Sequence, residues 1–319
     1  MKINNFGVQL INVSEDISGQ RISNFLFTYL KDVPESAIYR FLRKGNIRVN
    51  KKRVKPEYKL QNNDKLRIPP IQRTKQSHVF NQLNKFTILN ADILYEDKSL
   101  LILNKPSGTA VHGGSGLNIG LIEYLRALRP TENFLALVHR LDKETSGVLL
   151  IAKKRSVLRT LHEQMRAKKI QKEYLALVRG HWKPNVKVIS APLLKYCFSN
   201  SRKYVMQINA AGKPSETLFK IEERFRFATL VRASPITGRT HQIRAHAQYA
   251  GHPIAFDDRY GDKTFNRKLK SYGITRLFLH AISVRFNYPK NGNIFQIKAP
   301  MDLSLHQCLS CLRRSFKEK

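Results

Sequence analysis

Residues 139–152 read His-Arg-Leu-Asp-Lys-Glu-Thr-Ser-Gly and then Val-Leu-Leu-Ile-Ala, and this stretch carries the strongest local signal in the sequence. A polar turn that ends in glycine leads directly into the apolar run Val148–Ala152, which is typical of a buried strand. Asp142 lies in the turn beside Arg140 and Lys143. Because a nearby cation favours the ionised carboxylate, we expect Asp142 to be charged at neutral pH and available as a nucleophile or base. The spacing alone leaves open a helix cap or a surface ion pair.

Further apolar segments on both sides of this turn predict the rest of a sheet. We predict strands at Leu100–Leu103, Val148–Ala152, Tyr174–Val178, Leu218–Glu222, Ala228–Ala233 and Leu277–Phe286, and helices at Asn118–Leu128, Ser156–Lys168, Gln242–Tyr249 and Leu303–Lys317. The strands do not alternate regularly with the helices. This order favours an α+β fold with a mainly antiparallel sheet over repeated βαβ units.

The first part of the chain has a different pattern. We predict helices at Arg21–Leu30 and Pro34–Lys44 and short strands at Ile47–Asn50 and Lys65–Pro69. The expected organisation is an N-terminal extension (1–19), a small domain (20–69), a linker rich in Gln, Asn and Lys (70–90) and a large domain (91–319).

The charge of the chain indicates a polyanionic partner. Lys and Arg number 57 against 23 Asp and Glu, a net charge of +34, and nucleic acid is the partner that such an excess favours. The basic residues cluster in the small domain, where helical spacing and a following turn place seven candidates for phosphate contact: Arg40, Arg43, Lys44, Arg48, Lys51, Lys52 and Arg53. A solvated basic face, or a lysine-rich composition of the genome, remains the alternative.

Other features predict a cytoplasmic protein without a cofactor or a metal. No apolar run reaches the roughly 18–20 residues that a membrane span needs, and the start MKINNFGVQL lacks the apolar region of a secretory signal. Three cysteines do not make a disulfide framework. Cys308 and Cys311 have C-x-x-C spacing but no second ligand pair, so we interpret them as ordinary thiols. His241 and His246 are five residues apart, which does not direct both side chains of a helix at one metal.

Two resemblances join these observations. Residues 20–69 resemble the S4 RNA-binding module. Residues 139–147 resemble the first motif of the RluA-type pseudouridine synthases, and further segments match that family in order: Tyr95–Asp97, Leu103–Gly108, Lys172–Val178 and Thr237–His246. The resemblance implies a pseudouridine synthase domain that acts, without a cofactor, on uridines of ribosomal RNA of the large subunit (23S).

The resemblance also implies roles for particular residues. Asp142 would act at the ribose, Tyr174 would stack on a flipped uracil with Ile243 nearby, Arg244 would pair with Asp142, and Arg140 would occupy the space that the base leaves. Physical chemistry supports these roles, because moving the glycosidic bond from N1 to C5 requires a base outside the stack. Without the resemblance, Tyr174 is more simply a core aromatic and Arg244 a solvated charge.

Three alternatives stay open. The protein could bind RNA as a ribosome assembly factor without chemistry, or modify another ribosomal site or transfer RNA. The first step could be attack at C1′ or removal of a proton from C2′. We expect no membrane partner and no obligate protein partner.

Overall fold

The structure is a computed structural model that describes residues 7–15, 17–30, 33, 35–71, 93–113, 120–197, 204–289 and 291–317. The chain divides into two compact units at residues 87 and 88, and each is described by itself. Most of the predicted linker and the first residues of the predicted extension lie outside the described residues, so the domain boundaries stay predictions.

The first unit is a small helical module with a three-stranded sheet. Its elements are β1 (Gln9–Asn12), α1 (Ile22–Tyr29), α2 (Glu35–Lys44), β2 (Arg48–Val49) and β3 (Lys65–Ile68). The strands pair antiparallel in the order β1-β3-β2. Ile22, Leu26, Ile38, Leu42 and Leu66 are fully buried in one apolar cluster, which follows from their helical and strand periodicity. The predicted elements of this unit are confirmed, except for Pro34, which lies outside the described residues.

The second unit contains the remaining elements. Its strands are β4 (Ile93–Glu96), β5 (Leu100–Lys105), β6 (Ala136–Leu137), β7 (Ser146–Ala152), β8 (Gln171–Arg179), β9 (Val188–Ser190), β10 (Leu193–Cys197), β11 (Tyr204–Ile208), β12 (Glu216–Arg224), β13 (Ala228–Pro235), β14 (Leu279–Asn287) and β15 (Ile294–Lys298). Its helices are α3 (Leu121–Leu128), α4 (Arg155–Arg166), α5 (Gln242–Tyr249), α6 (Lys263–Lys270) and α7 (Leu303–Lys317).

The sheet of this unit is mixed but mainly antiparallel. Within the described ranges its strand order is β4-β5-β7-β14-β8-β13-β12-β9, with β15 paired to β14 and β6 to β7, while β10 and β11 form a separate hairpin. The pairing of β7 with β14 is parallel and the other pairings are antiparallel. The predicted α+β class is therefore confirmed.

The apolar strand β7 lies at the centre of the sheet. All seven of its residues are buried. Gly147 has a φ of +111°, and a Cβ at this position would collide with the backbone of Ala281 on β14. Glycine is therefore required at the end of the polar turn, because the parallel partner approaches too closely for a side chain.

Helices cover the sheet. Val157 and Leu161 of α4 join the apolar cluster around Leu150, and α6 and α7 join a second cluster with Leu175 and Leu177 of β8. No helix in the described ranges has the length and apolar character of a membrane span.

The elements that the sequence analysis did not predict have weak local signals. Helix α6 is largely basic and polar, and it buries two side chains, Phe265 and Leu269. The hairpin strands β10 and β11 are largely exposed or half-buried. Such elements have no continuous apolar pattern, so sequence periodicity does not predict them, and they become evident only from their tertiary packing.

Candidate active site

A cleft of about 770 Å³ opens in the second unit. Three segments meet there: the loop 139–145 before β7, the first half of β8, and the loop 235–241 that leads into α5. Asp142, Arg140, Tyr174, Ile243 and Arg244 all line this cleft. The structure therefore brings together the five candidate residues that the sequence analysis assigned to the second unit.

Side chains at the end of β5 and just after it hold the loop that carries Asp142 by hydrogen bonds. The Nζ of Lys105 donates hydrogen bonds to the backbone carbonyls of Pro106, Thr109 and Lys143 at 2.8, 2.8 and 3.0 Å. Ser107 Oγ donates to the carbonyl of Glu144 at 2.7 Å. Burial lowers the pKa of Lys105 to about 7, partly offset by the charges of Glu144 and then Asp142. This buried lysine supports the backbone of the loop that carries Asp142.

Arg244 on α5 connects two carboxylates. Its Nη1 donates to Asp142 Oδ2 at 3.1 Å, while Nε and Nη2 donate to Asp257 Oδ2 and Oδ1 at 2.7 and 2.8 Å. The side chain of Asp257 is 0% exposed, that of Arg244 is 4% exposed and that of Asp142 is 18% exposed. The planar fork of arginine suits this arrangement, because two donors bind one carboxylate and a third remains for the other.

The pKa of Arg244 is raised even though burial by itself would lower it. The hydrogen bonds and charge of Asp257 offset the burial, and Asp142 adds to the effect. Arg244 therefore stays charged and gives Asp142 a permanent cationic partner. The predicted pairing of Arg244 with Asp142 is present in the geometry.

The source of the cation beside Asp142 differs from the sequence expectation. Arg140 is exposed, and the ion pair of Lys143 is with Glu144 at 3.7 Å. Neither residue is paired with Asp142. Sequence neighbours in a turn project in different directions, so the cation comes instead from Arg244, which is 102 residues away in the chain.

His241 is the other polar neighbour of Asp142. Its Nε2 lies 3.9 Å from Asp142 Oδ2, its Nδ1 lies 2.9 Å from the hydroxyl of Tyr260, and its ring is stacked on that of Tyr204. Burial lowers the pKa of His241 to about 4, although the charge of Asp142 acts in the opposite direction. His241 is therefore a neutral imidazole at neutral pH.

Tyr174 is a buried residue on β8 that lines the cleft. Burial, and then the charge of Asp142, raise the pKa of its phenol, so the ring stays neutral and offers an aromatic face. Ile243 is also buried and lines the same cleft. Arg140 is exposed on the lining, which gives its guanidinium access to solvent.

The seven basic residues of the first unit, Arg40, Arg43, Lys44, Arg48, Lys51, Lys52 and Arg53, are all exposed. A tight turn joins β2 to the segment after it, with Asn50 and Lys51 at φ values of +49° and +66°. The amide of Asn50 holds this turn by donating to Asp64 Oδ1 at 2.7 Å and accepting from the Lys65 backbone N–H at 2.8 Å. Arg43 of α2 and Arg53 after the turn line one groove. The helix and the turn thus present charge together, as the spacing suggested.

The remaining candidates are a histidine and two cysteines that are buried or half-buried. His246 is fully buried and lies 3.0 Å from Ser215 Oγ and 2.9 Å from Thr217 Oγ1, so its side chain is part of the hydrogen-bonded interior. Cys308 is buried and Cys311 half-buried on α7.

Sequence reasoning missed the roles of Asp257 and Lys105. Lys105 lies in Leu103–Gly108, one of the segments that resemble the family, but no role was assigned to it. Lys105 gave a usable signal, because a lysine at the end of a continuous apolar strand has to find buried acceptors. Nothing local distinguished Asp257 from the adjacent Asp258.

Comparison with known proteins defines the class. The family described as RNA pseudouridylate synthase matches residues 99–249, and the S4 domain matches residues 20–66. Asp142, Tyr174 and Arg244 all fall within the first match. The human RNA pseudouridylate synthase domain containing 4 has a similar fold, with a TM-score of 0.61 at 24% identity over 74% of this chain and 98% of that one.

Relatives that match over the full length of the chain carry a more specific name than the family model does. It is 58% identical over 319 residues, 99% of this chain and 100% of the relative, to ribosomal large subunit pseudouridine synthase C of Escherichia coli (strain K12). It is 59% identical over 321 residues, 100% of both chains, to the protein of the same name from Yersinia pestis. The chain belongs to the RNA pseudouridylate synthase family and is an isomerase that acts on RNA.

Proposed function

We propose that this protein converts uridines of large-subunit ribosomal RNA to pseudouridine, with Asp142 as the catalytic carboxylate. The observation that carries the proposal is the pairing of Asp142 with the buried Arg244 inside a cleft that Tyr174 also lines. The full-length similarity to ribosomal large subunit pseudouridine synthases C supports the choice of substrate.

In the proposed reaction the target nucleotide leaves the RNA stack and its uracil enters the cleft. Extrusion costs a few kcal/mol, and stacking on the phenol of Tyr174 returns roughly 1–3 kcal/mol. Ile243 packs at the edge of the base. Arg140, which is exposed on the lining of the cleft, occupies the space that the base leaves in the RNA.

Asp142 then acts twice. The contacts of its carboxylate with Arg244 and His241 both involve Oδ2, so among the described residues Oδ1 has no partner and is available at the ribose. Attack at C1′ and removal of the C2′ proton both release uracil with the electron pair of the C1′–N1 bond. After the uracil has rotated, C5 forms the new bond to C1′ while the ester bond between Asp142 and C1′ breaks or, on the other route, while Asp142 returns the proton to C2′. The freed carboxylate then removes the C5 proton, and N1 takes up a proton to give neutral pseudouridine.

The basic surface of the first unit binds the RNA outside the cleft. Arg40, Arg43, Lys44, Arg48, Lys51, Lys52 and Arg53 contact phosphates, which position the RNA without reading its sequence. The proposal includes action in the cytoplasm on ribosomal RNA or its precursor, without an obligate protein partner, a cofactor or a metal.

Tritium release from C5 tests the chemistry and the substrate together. Wild-type protein should release tritium from 23S ribosomal RNA labelled at C5 of uridine, and Asp142→Asn should not. Small-subunit ribosomal RNA and transfer RNA serve as matched substrates. Release from one of these alone would replace the proposed substrate, and no release from any RNA would leave the binding-only assembly factor as the better hypothesis.

A map of pseudouridines in ribosomal RNA from cells without this protein identifies the target uridines. We expect specific large-subunit positions to return to uridine and to be restored by the wild-type gene but not by the Asp142→Asn gene. An unchanged map would contradict the proposed substrate.

A further inference from the structure

Lys172 is a cation on the wall of the cleft that the reaction scheme above does not use. It lies on β8 two residues before Tyr174. Side chains two apart on a strand project from the same face, and both residues line the cleft. The side chain of Lys172 therefore projects into the same cleft as the ring on which the uracil is proposed to stack.

The strands of the sheet separate where Lys172 lies. β8 is paired with β13 as far as Tyr174 and Ala233, whereas its pairing with β14 continues to Lys172, opposite Val284. Beyond Tyr174, Lys172 and Pro235 of β13 line both the cleft and the groove next to it. Lys172 thus faces an opening in the sheet on its β13 side.

The ammonium group of Lys172 has no counter-ion. Within the part of the chain that the structure describes, its Nζ makes no hydrogen bond and no ion pair. A Cβ at Gly238 would lie 3.8 Å from this Nζ, so the ammonium group lies against the loop that leads to His241. Burial lowers the pKa of Lys172, and no carboxylate opposes that effect. Lys172 is half-buried, and an uncompensated, partly buried charge destabilises a fold unless a ligand completes it.

A second polar group near Lys172, the imidazole of His139, also has an unused hydrogen-bonding position. The Nε2 of His139 accepts a hydrogen bond from the Leu150 backbone N–H at 3.2 Å, which leaves the ring proton on Nδ1. That Nδ1 is buried and has no partner among the described residues. Burial, and then the charge of Lys172, lower the pKa of His139 to about 3. The cleft wall therefore holds a cation without an acceptor for its hydrogen bonds, and the neutral imidazole of His139 nearby does not compensate its charge.

The reaction itself generates such an acceptor. When the C1′–N1 bond breaks, its electron pair stays with the uracil, and the negative charge spreads onto the carbonyl oxygens of the ring. A donor that is already in place where charge develops stabilises the transition state more than the ground state. A phosphate is the less suitable ligand, because the RNA backbone stays at the mouth of the cleft while the base enters it.

We infer that Lys172 donates a hydrogen bond from Nζ to a carbonyl oxygen of the flipped uracil and stabilises its negative charge as the glycosidic bond breaks. This role rests on the proposed stacking of the uracil on Tyr174. No proton is transferred from Lys172. The charge disappears when C5 forms its bond to C1′, and the later loss of the C5 proton is balanced by protonation of N1, so the lysine is unchanged at the end of each turnover.

The test is a set of variants studied by single-turnover tritium release at saturating enzyme. Lys172→Met should lower the rate by about 10²–10³-fold, the effect of removing one donor to a developing anion, while the dissociation constant for RNA changes by less than about threefold. Lys172→Arg should recover at least about tenfold of the lost rate, because it restores a donor with a permanent charge. Lys169→Met, which removes an exposed lysine three residues earlier, should keep the wild-type rate.

Thermal unfolding separates this role from a structural one. Removal of an uncompensated, partly buried charge should leave the melting temperature of Lys172→Met equal to or above that of the wild type, and a clear decrease would overturn the inference. A weaker affinity for RNA with a normal rate at saturation would also overturn it, since the lysine would then bind a phosphate. Absence of wild-type release from 23S ribosomal RNA would contradict the proposed substrate. Equal rates of wild type and Lys172→Met, on any RNA that the wild type modifies, would instead contradict the role of Lys172.

Discussion

The two units of this protein use arginine in opposite ways. In the first unit, Arg43 and Arg53 are exposed on one groove and make no ion pair among the described residues. In the second unit, Arg244 is almost completely buried between Asp142 and Asp257. An exposed cation contributes a small and replaceable share of RNA affinity, whereas a buried network depends on each of its members. The comparison predicts large single-residue effects in the second unit and small, cumulative effects in the first.

The largest effect is expected for Asp142→Asn. Because one carboxylate serves in both chemical steps, we expect single-turnover tritium release to fall by at least about 10⁴-fold. RNA affinity, measured by filter binding, should stay close to wild type. Glu144→Gln removes a carboxylate two residues away and should keep most of the activity. An equal loss of activity in both variants would show that activity depends on the conformation of the loop and not on the carboxylate of Asp142.

The next effect is expected for Asp257→Asn, which takes the bidentate partner from the buried Arg244. Breaking a buried ion pair costs about 3–5 kcal/mol in the free energy of unfolding, and a displaced Arg244 should lower the rate about 100-fold. Urea denaturation and tritium release measure the two effects. Asp258→Asn is the matched control, because Asp258 is 77% exposed and lies 3.7 Å from Arg244. Equal stability of the two variants would contradict the buried network.

An intermediate effect is expected on acidification. The pKa of His241 is lowered to about 4 in the folded protein, and an unperturbed histidine titrates near 6.5. The unfolded chain therefore binds a proton first, so folding is destabilised as the pH falls from about 6.5 to about 4, by up to about 3 kcal/mol. The free energy of unfolding of His241→Gln should depend less steeply on pH in this window. His306→Gln, at an exposed position, should retain the wild-type dependence, and identical curves for all three proteins would contradict the prediction.

The smallest effect per residue is expected in the first unit. Replacing Arg43, Lys51 and Arg53 by alanine should flatten the slope of log K against log salt by roughly 2–3, because each phosphate contact contributes about 0.7–0.9. The rate at saturating RNA should stay unchanged. Titration of labelled ribosomal RNA at several salt concentrations measures the slope. An unaltered slope would show that this surface does not contact the RNA. It would also contradict the predicted difference between the two units.

Periodicity predicted the fold well wherever a single segment carried its own signal. The run Val148–Ala152 predicted the central strand, and α5 occupies Gln242–Tyr249, as predicted. The helix α6 escaped prediction because two apolar side chains give little periodicity. The strand β1 escaped because it is short and lies in the region taken for an extension.

The site was predictable to the extent that family motifs named its members. Asp142, Tyr174 and Arg244 were named from such motifs, and the cleft brings them together. Their roles in catalysis remain proposals. Asp257 could not be selected over Asp258 by sequence reasoning, since the choice depends on which carboxylate faces the buried guanidinium.

The sequence by itself determined the two-part organisation, the basic character of the first unit and the identity of the candidate catalytic carboxylate, because charge, periodicity and motifs are local properties of the chain. The tertiary structure decided which cation pairs with that carboxylate, which buried lysine supports its loop and which half-buried lysine has no partner among the described residues. These facts depend on contacts between residues far apart in sequence, such as the 102 residues between Asp142 and Arg244. Only packing of the sheet and its helices brings such groups within hydrogen-bonding distance.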